Sequence, residues 1–194
     1  MANNEILLRL RKETKASFGL CKEAADKYPD NYEEAKKYIV ELIKQKAGKR
    51  EGRVTQNGII HAYVHGNGAL ASLVEILCET DFVARNEELK QFAHDVALQI
   101  VATNPQFVSS ESIDAKVVED LKAQWKEELL QEGKPEAAVE KIIDGKLKKY
   151  LAENTLIDQP FFKDESKTIR DMLEEVTGKL GENIKISRFE RWQI

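Results

Sequence analysis

Hydrophobic positions in the first fifty residues recur at helical spacing in three short runs. Ile6, Leu7 and Leu10 stripe the first, and Leu20, Cys21, Ala24 and Ala25 line the second. Ala35, Tyr38, Ile39, Leu42 and Ile43 follow the i, i+3, i+4, i+7, i+8 pattern of a third amphipathic helix. Pro29 disfavours helix at Tyr28, and Asn31 with Glu34 reads as an Asn variant of the capping box. The stretch from Lys44 to Arg53 ends this periodicity with five basic residues and two glycines, and reads as a polar linker. A solvated hinge is the plain reading. Weak contact with phosphates or an acidic partner is the other, without the interleaved aromatics that stack on bases.

From Gly58 the period changes to two. Ile60, Ala62 and Val64 share one face of a strand, while Ile59, His61, Tyr63 and His65 share the other. His65-Gly66-Asn67-Gly68 predicts a hairpin turn, because Asn and Gly tolerate positive φ. Ala69 to Cys78 returns as a second strand whose nearly continuous apolar run predicts a central, buried position. Asn86 then caps a helix with the widest apolar stripe in the chain, Leu89 to Val101, which Asn104-Pro105 stops.

Two further amphipathic helices follow, one carrying Val117, Leu121, Trp125 and Leu129, the other Val139, Ile143, Leu147 and Tyr150. The short break at Gly133-Lys134-Pro135 folds them into a hairpin. A loop through Gln159-Pro160-Phe161-Phe162 leads to a Ser166-capped helix with Ile169, Met172 and Val176, bracketed by Gly178 and Gly181. Asn183 to Arg191 closes the chain as a third, antiparallel strand. The expected class is α+β: a three-helix head, then a small three-stranded antiparallel sheet covered by helices, with a helical hairpin. The expected divisions are a head at 1–50, a linker at 51–57 and a core domain at 58–194.

Composition narrows the chemistry. A chain of 194 residues with 42% hydrophobic and 33% charged residues buries a real core, and its net charge of −4 is unlike that of a dedicated nucleic-acid binder. No direct nucleic-acid partner is expected. No apolar run approaches the roughly 18 residues needed to span a bilayer, and the start lacks a leader pattern, so the expected location is cytoplasmic. Cys21 and Cys78 match no metal or redox spacing and read as buried free thiols. His61 and His65 stand about 13 Å apart along a strand, too far for one metal. With no GxSxG, no Walker or dinucleotide loop, and no pocket behind Glu79 and Asp81, neither catalytic residues nor a metal or cofactor are expected.

One segment is left without a structural purpose: Thr80-Asp81-Phe82-Val83, where the second strand stops and the capped helix begins. A core strand has no evident use for Asp81, nor a tight loop for Phe82. From the residues alone, the segment is either a turn with Phe82 packed under the helix or a probe that enters another protein.

The surrounding segment, Cys78 to Asn86, resembles the signature of the bacterial elongation factor Ts family, the nucleotide exchange factors of elongation factor Tu. Leu10-Arg11-Lys12-Glu13-Thr14 with Cys21-Lys22-Glu23-Ala24 resembles the family's opening motif. Gln159-Pro160-Phe161 with Lys163-Asp164, and Gly181-Glu182-Asn183-Ile184 with Arg188-Phe189, resemble its later ones. The resemblance covers nearly the whole chain. It implies a ubiquitin-associated-like head that docks on the GTPase through residues at Arg11, Phe18, Gly19 and Leu20. Where the family has a glycine-rich, methionine-bearing turn, this chain has Lys15 to Leu20, so Phe18 and Leu20 either take over the methionine contacts or fill the head's own core.

The resemblance also implies that Thr80, Asp81, Phe82 and Val83 form a non-catalytic wedge. It would enter elongation factor Tu, GDP-bound or nucleotide-free, near the magnesium and phosphates, and so release GDP. Longer members carry two copies of the core sheet unit; with room for one, this chain is expected to be a homodimer. The competing reading is a ubiquitin-associated-type binding or scaffold module without exchange activity.

Overall fold

The computed structural model describes residues 2–14 and 16–194, with side chains described for 4–14 and 16–194. Met1, and Lys15 in the divergent segment of the head, lie outside the described residues. The expected α+β class holds: eight helices, a three-stranded antiparallel sheet and a second small sheet are present among the described residues. The chain divides into two compact units, Met1–His61, Val74–Asp95 and Asp171–Ser187 in one, and Ala62–Leu73, Val96–Arg170 and Arg188–Ile194 in the other.

In the first unit the head is built from α1 (Ala2–Thr14), α2 (Phe18–Lys27) and α3 (Tyr32–Gly48). Leu10, Leu20, Cys21, Ala24, Ala35 and Ile39 form its core, as the periodicity predicts. Asn31 Oδ1 accepts from the Glu34 N–H at 3.1 Å, but the reciprocal half of the capping box is not made. The Glu34 carboxylate takes Lys37 Nζ at 3.2 Å instead.

The helix also runs further than its apolar stripe, to Gly48, so Lys44 and Lys46 are helical rather than part of a linker. Two of its basic side chains also reach residues far along the chain. Lys44 Nζ meets Asp171 at 2.5 Å and Glu174 at 3.6 Å, and Arg50 Nη1 donates to the Thr177 carbonyl at 3.5 Å.

β1 (Asn57–His65) and β2 (Leu70–Cys78) form the expected hairpin, closed by Gly68 N–H donating to His65 O at 2.9 Å. Gly66 and Gly68 have φ of +49° and +83°, the region that side chains disfavour. β2 is central in the order β1-β2-β5. It is fully buried on one face only: Ser72, Val74, Ile76 and Cys78 are covered, whereas Leu73 opposite is exposed. On β1 the outward positions Ile60 and Val64 are 68% and 62% exposed.

After β2 come a one-turn helix, α4 (Asp81–Ala84), and then α5 (Glu87–Thr103), whose first turn Asn86 Oδ1 caps by accepting from Glu88 N–H at 2.8 Å. α5 packs through Leu89, Ala93, Val96, Ala97 and Ile100, all fully buried.

In the second unit α6 (Ala115–Gln131) and α7 (Glu136–Asn154) fold back on each other. Leu129 packs with Val139 and Ile143, Glu128 pairs with Lys146, and Trp125 meets Tyr150 edge-on, an order that makes the pair antiparallel.

The segment expected as a loop contains a small hairpin of β3 (Pro160–Phe161) and β4 (Asp164–Thr168). Ser166 lies in β4 and caps nothing; its N–H and hydroxyl both donate to Asp164 Oδ1, at 3.2 and 2.6 Å. α8 (Ile169–Leu180) starts three residues later. β5 (Lys185–Gln193) starts two residues later than its apolar pattern suggests, because Glu182 and Asn183 are committed to other contacts.

Candidate functional site

Thr80 to Val83 stands at the junction of β2 and α4, in the first unit. Thr80 is the N-cap of α4: its Oγ1 accepts from Val83 N–H at 3.3 Å. Val83 and Ala84 are buried beneath the turn. Phe82 points the other way and is 80% exposed, which removes the reading that it packs under the following helix. Asp81 is exposed too and pairs with Arg85 Nη2 at 2.9 Å, one helical turn on. With side chains 69% and 80% exposed, such a pair is held weakly.

A four-residue helix has too few internal hydrogen bonds to hold itself. Its support comes from the turn between α8 and β5. Gly181, at φ +78°, ends α8 and turns the chain so that Glu182 faces the corner. One Glu182 oxygen accepts from the N–H groups of Glu79 and Thr80 at 3.1 and 3.0 Å, and the other accepts from the Thr80 hydroxyl at 2.6 Å.

The arrangement is reciprocated. Glu79 Oε1 accepts from Asn183 N–H at 2.6 Å, and Asn183 Nδ2 donates to the carbonyls of Glu51 and Arg53 at 3.3 and 2.8 Å. Asn57 Nδ2 donates to Glu79 O at 2.8 Å. Beside this network the Cys78 thiol is buried and donates to Thr80 O at 3.1 Å. Burial, and then the Glu182 carboxylate, push its pKa up, so it stays a thiol.

The residues suggested for the head are divided. Arg11, Phe18 and Gly19 are exposed, Phe18 at 52%, with the Arg11 guanidinium 5.9 Å from the Phe18 ring centre. Leu20 is 2% exposed, among the core residues of the head. Of the two alternatives for this pair, Leu20 fills the core and Phe18 faces outward.

His61 and His65 go separate ways. His61 Nε2 lies 3.2 Å from His94 Nδ1, and His65 Nδ1 lies 2.9 Å from the Tyr63 hydroxyl. Among the described residues no three His, Cys, Asp or Glu side chains come together to hold a metal. A groove of about 440 Å³ beside α5 and α8 has an apolar floor of Phe92, Met172 and Val176 and a mostly acidic rim. It does not adjoin Phe82.

An α+β protein of this kind presents a stiffly backed projecting corner rather than a cavity of converging groups. The family model for elongation factor Ts matches residues 12–194, and the chain belongs to that family. It is 41% identical over 189 residues to elongation factor Ts of Coprothermobacter proteolyticus, covering 97% of this chain and 96% of the relative. To that of Nitratidesulfovibrio vulgaris it is 42% identical, covering 98% and 95%. To that of Solidesulfovibrio magneticus it is 44% identical, covering 95% and 92%. Family membership makes it a translation elongation factor. No described helix is long and apolar enough to cross a membrane.

The corner stands out in the sequence, but its support does not. Glu182 stood in a recognised motif, yet nothing local ties it to a residue 102 positions earlier.

Proposed function

We propose that this chain is a guanine nucleotide exchange factor: it binds elongation factor Tu·GDP and promotes GDP release, so that GTP can bind, without making or breaking a covalent bond. The supporting observation is Phe82, 80% exposed on a turn whose backbone is fixed from behind. Phe82 wedges into the GTPase near its magnesium and phosphates, and Asp81, released from a weak exposed pair with Arg85, meets polar groups there. Thr80 and Val83 shape the turn. Arg11, Phe18 and Gly19 supply a second contact from the ubiquitin-associated-like head, with Leu20 holding Phe18's helix in place.

Exchange follows from linkage. A protein that prefers the nucleotide-free GTPase weakens nucleotide binding by the same factor, and nucleotide expels it in turn. Full burial of one Phe is worth roughly 1.5 to 3 kcal/mol, or about 10- to 150-fold, so Phe82 is a hot spot and the head and body contacts supply the rest. The head is residues 1–50, joined by 51–57 to a core of 58–194. Two copies act as a homodimer in the cytoplasm, a reading supported by the large aliphatic side chains that β1 leaves outside.

Release of labelled GDP from elongation factor Tu tests this reading, with native protein, Phe82→Ala and Asp81→Ala. Acceleration by native protein and a loss of about tenfold or more in Phe82→Ala are expected. No acceleration by native protein refutes the exchange activity, and full activity in Phe82→Ala refutes the wedge.

A further inference from the structure

We propose that Glu182 is a positioning residue for the exchange site: it sets the shape of the Thr80–Val83 corner before any partner arrives. The proposal rests on the wedge reading above. A four-residue helix leaves most of its backbone donors without internal partners. At this corner the donors of Glu79 and Thr80 are taken by one carboxylate from another part of the chain. Hydrogen bonds to an ionised acceptor are roughly twice as strong as neutral ones.

The hydroxyl of Thr80 carries the effect onward. It has one proton, which goes to Glu182 Oε1 at 2.6 Å, and this leaves its lone pairs to accept from Val83 N–H at 3.3 Å. Glu182 therefore orients the cap that closes α4, and α4 carries Asp81 and Phe82. The carboxylate makes no hydrogen bond to either of them and acts through Glu79 and Thr80, which lead into the helix.

Without this support the corner samples other shapes, and the apparent affinity of a wedge falls in proportion to the fraction that remains competent. A fall to about one tenth lowers exchange activity about tenfold, with Phe82 itself unchanged.

The test compares wild type, Glu182→Ala, Glu182→Gln, Phe82→Ala and the double variant Glu182→Ala/Phe82→Ala as full chains. Hydrogen exchange at the amides of Thr80 and Val83 is measured in the free protein, and labelled-GDP release is measured with elongation factor Tu. Glu182→Ala is expected to speed amide exchange at both positions and slow GDP release about tenfold. Glu182→Gln, which keeps one acceptor oxygen, should fall between it and wild type. The double variant should be slower than Phe82→Ala alone by much less than tenfold, since only the contact of Asp81 is then left for Glu182 to position.

Unchanged amide exchange in Glu182→Ala overturns the proposal. So do losses in the double variant that multiply, because Glu182 then works elsewhere. Normal GDP release in Glu182→Ala beside a slow Phe82→Ala overturns the positioning role and leaves the wedge standing. Full release in Phe82→Ala overturns both. If Glu182→Ala does not fold, Glu182→Gln alone carries the same comparisons.

Discussion

Gly178 of α8 lies directly against Ile43 of α3, so close that an added Cβ would overlap Ile43 Cγ2 and stand 3.2 Å from its Cβ and 3.4 Å from its Cα. Ile43 is itself buried, so its side chain cannot swing away.

Gly178→Ala is therefore expected to destabilise. Overpacking costs typically 1 to 3 kcal/mol, and the helix-propensity gain of Ala over Gly, about 1 kcal/mol, offsets only part of it. Gly145, in the middle of α7, is the control, because a Cβ there meets nothing within 4 Å. Gly145→Ala should stabilise by about 0.5 to 1 kcal/mol. Thermal melts of the two variants should thus move in opposite directions from wild type. A rise in Tm for Gly178→Ala would show that α3 and α8 are not held at this spacing.

Gln99 is fully buried on α5 and has its amide satisfied on both sides. Nε2 donates to Gln159 Oε1 and to Pro160 O, each at 3.1 Å, and Oε1 accepts from Phe162 N–H at 3.0 Å. Gln99→Leu keeps the volume but leaves the Phe162 N–H without a partner. The Phe162 N–H and the Pro160 carbonyl are only partly buried, so a loss of about 1 to 3 kcal/mol is expected. For a chain of this size that is a drop in Tm of about 3 to 10 °C. A variant that melts within 2 °C of wild type, in round terms about 1 kcal/mol or less, would mean that this network adds little to the fold.

The contrast between these sites shows what a single sequence discloses. Head helices, the Gly66–Gly68 turn and the α5 stripe were readable because their causes are local: side-chain periods, a φ requirement, a cap two or three residues from what it caps. α3 runs past its apolar stripe, with Ala47 buried in its last turn and Lys44 paired with Asp171 and Glu174 far along the chain. Ser166 looked like a cap but sits in β4, bound to Asp164 in a turn of equally common composition.

The corner at Phe82 was legible as an anomaly but not in its direction, since an aromatic beside a helix packs inward as readily as it projects. Its support was not legible at all. Glu182–Thr80, Gln99–Gln159 and His61–His94 join residues 102, 60 and 33 positions apart, and no period or spacing encodes such pairs.

The His61–His94 pair gives the fold a dependence on pH. Burial, and then the neighbouring His94, push the pKa of His61 down, so the folded state holds it neutral. In the unfolded chain it titrates near the ordinary value of about 6.5. The native state therefore binds fewer protons, and stability rises with pH through this range. The contribution is full above the unfolded value and is lost as pH falls from there through the lower folded value. Tm should fall between about pH 7.5 and pH 5.5, and less steeply in His61→Gln, which cannot be protonated. Equal slopes for the two proteins would remove His61 as the cause.

On β1, Ile60 is 68% exposed, and Val64 lies on the same face of the strand, 62% exposed. If this face is where two copies meet, twofold symmetry places each substituted side chain in the interface twice. Burying one Ile is worth roughly 1.5 to 3 kcal/mol, so losing two weakens the dimer by roughly 3 to 6 kcal/mol, about 10²- to 10⁴-fold in Kd. Ile60→Lys should accordingly shift the mass measured by light scattering at micromolar concentration from two chains to one. Because Ile60 is outside the core of the single chain, the far-UV circular dichroism should stay that of wild type. A wild-type protein that is already monomeric would end the dimer reading. A dimeric wild type whose Ile60→Lys variant keeps its mass would move the interface away from this strand.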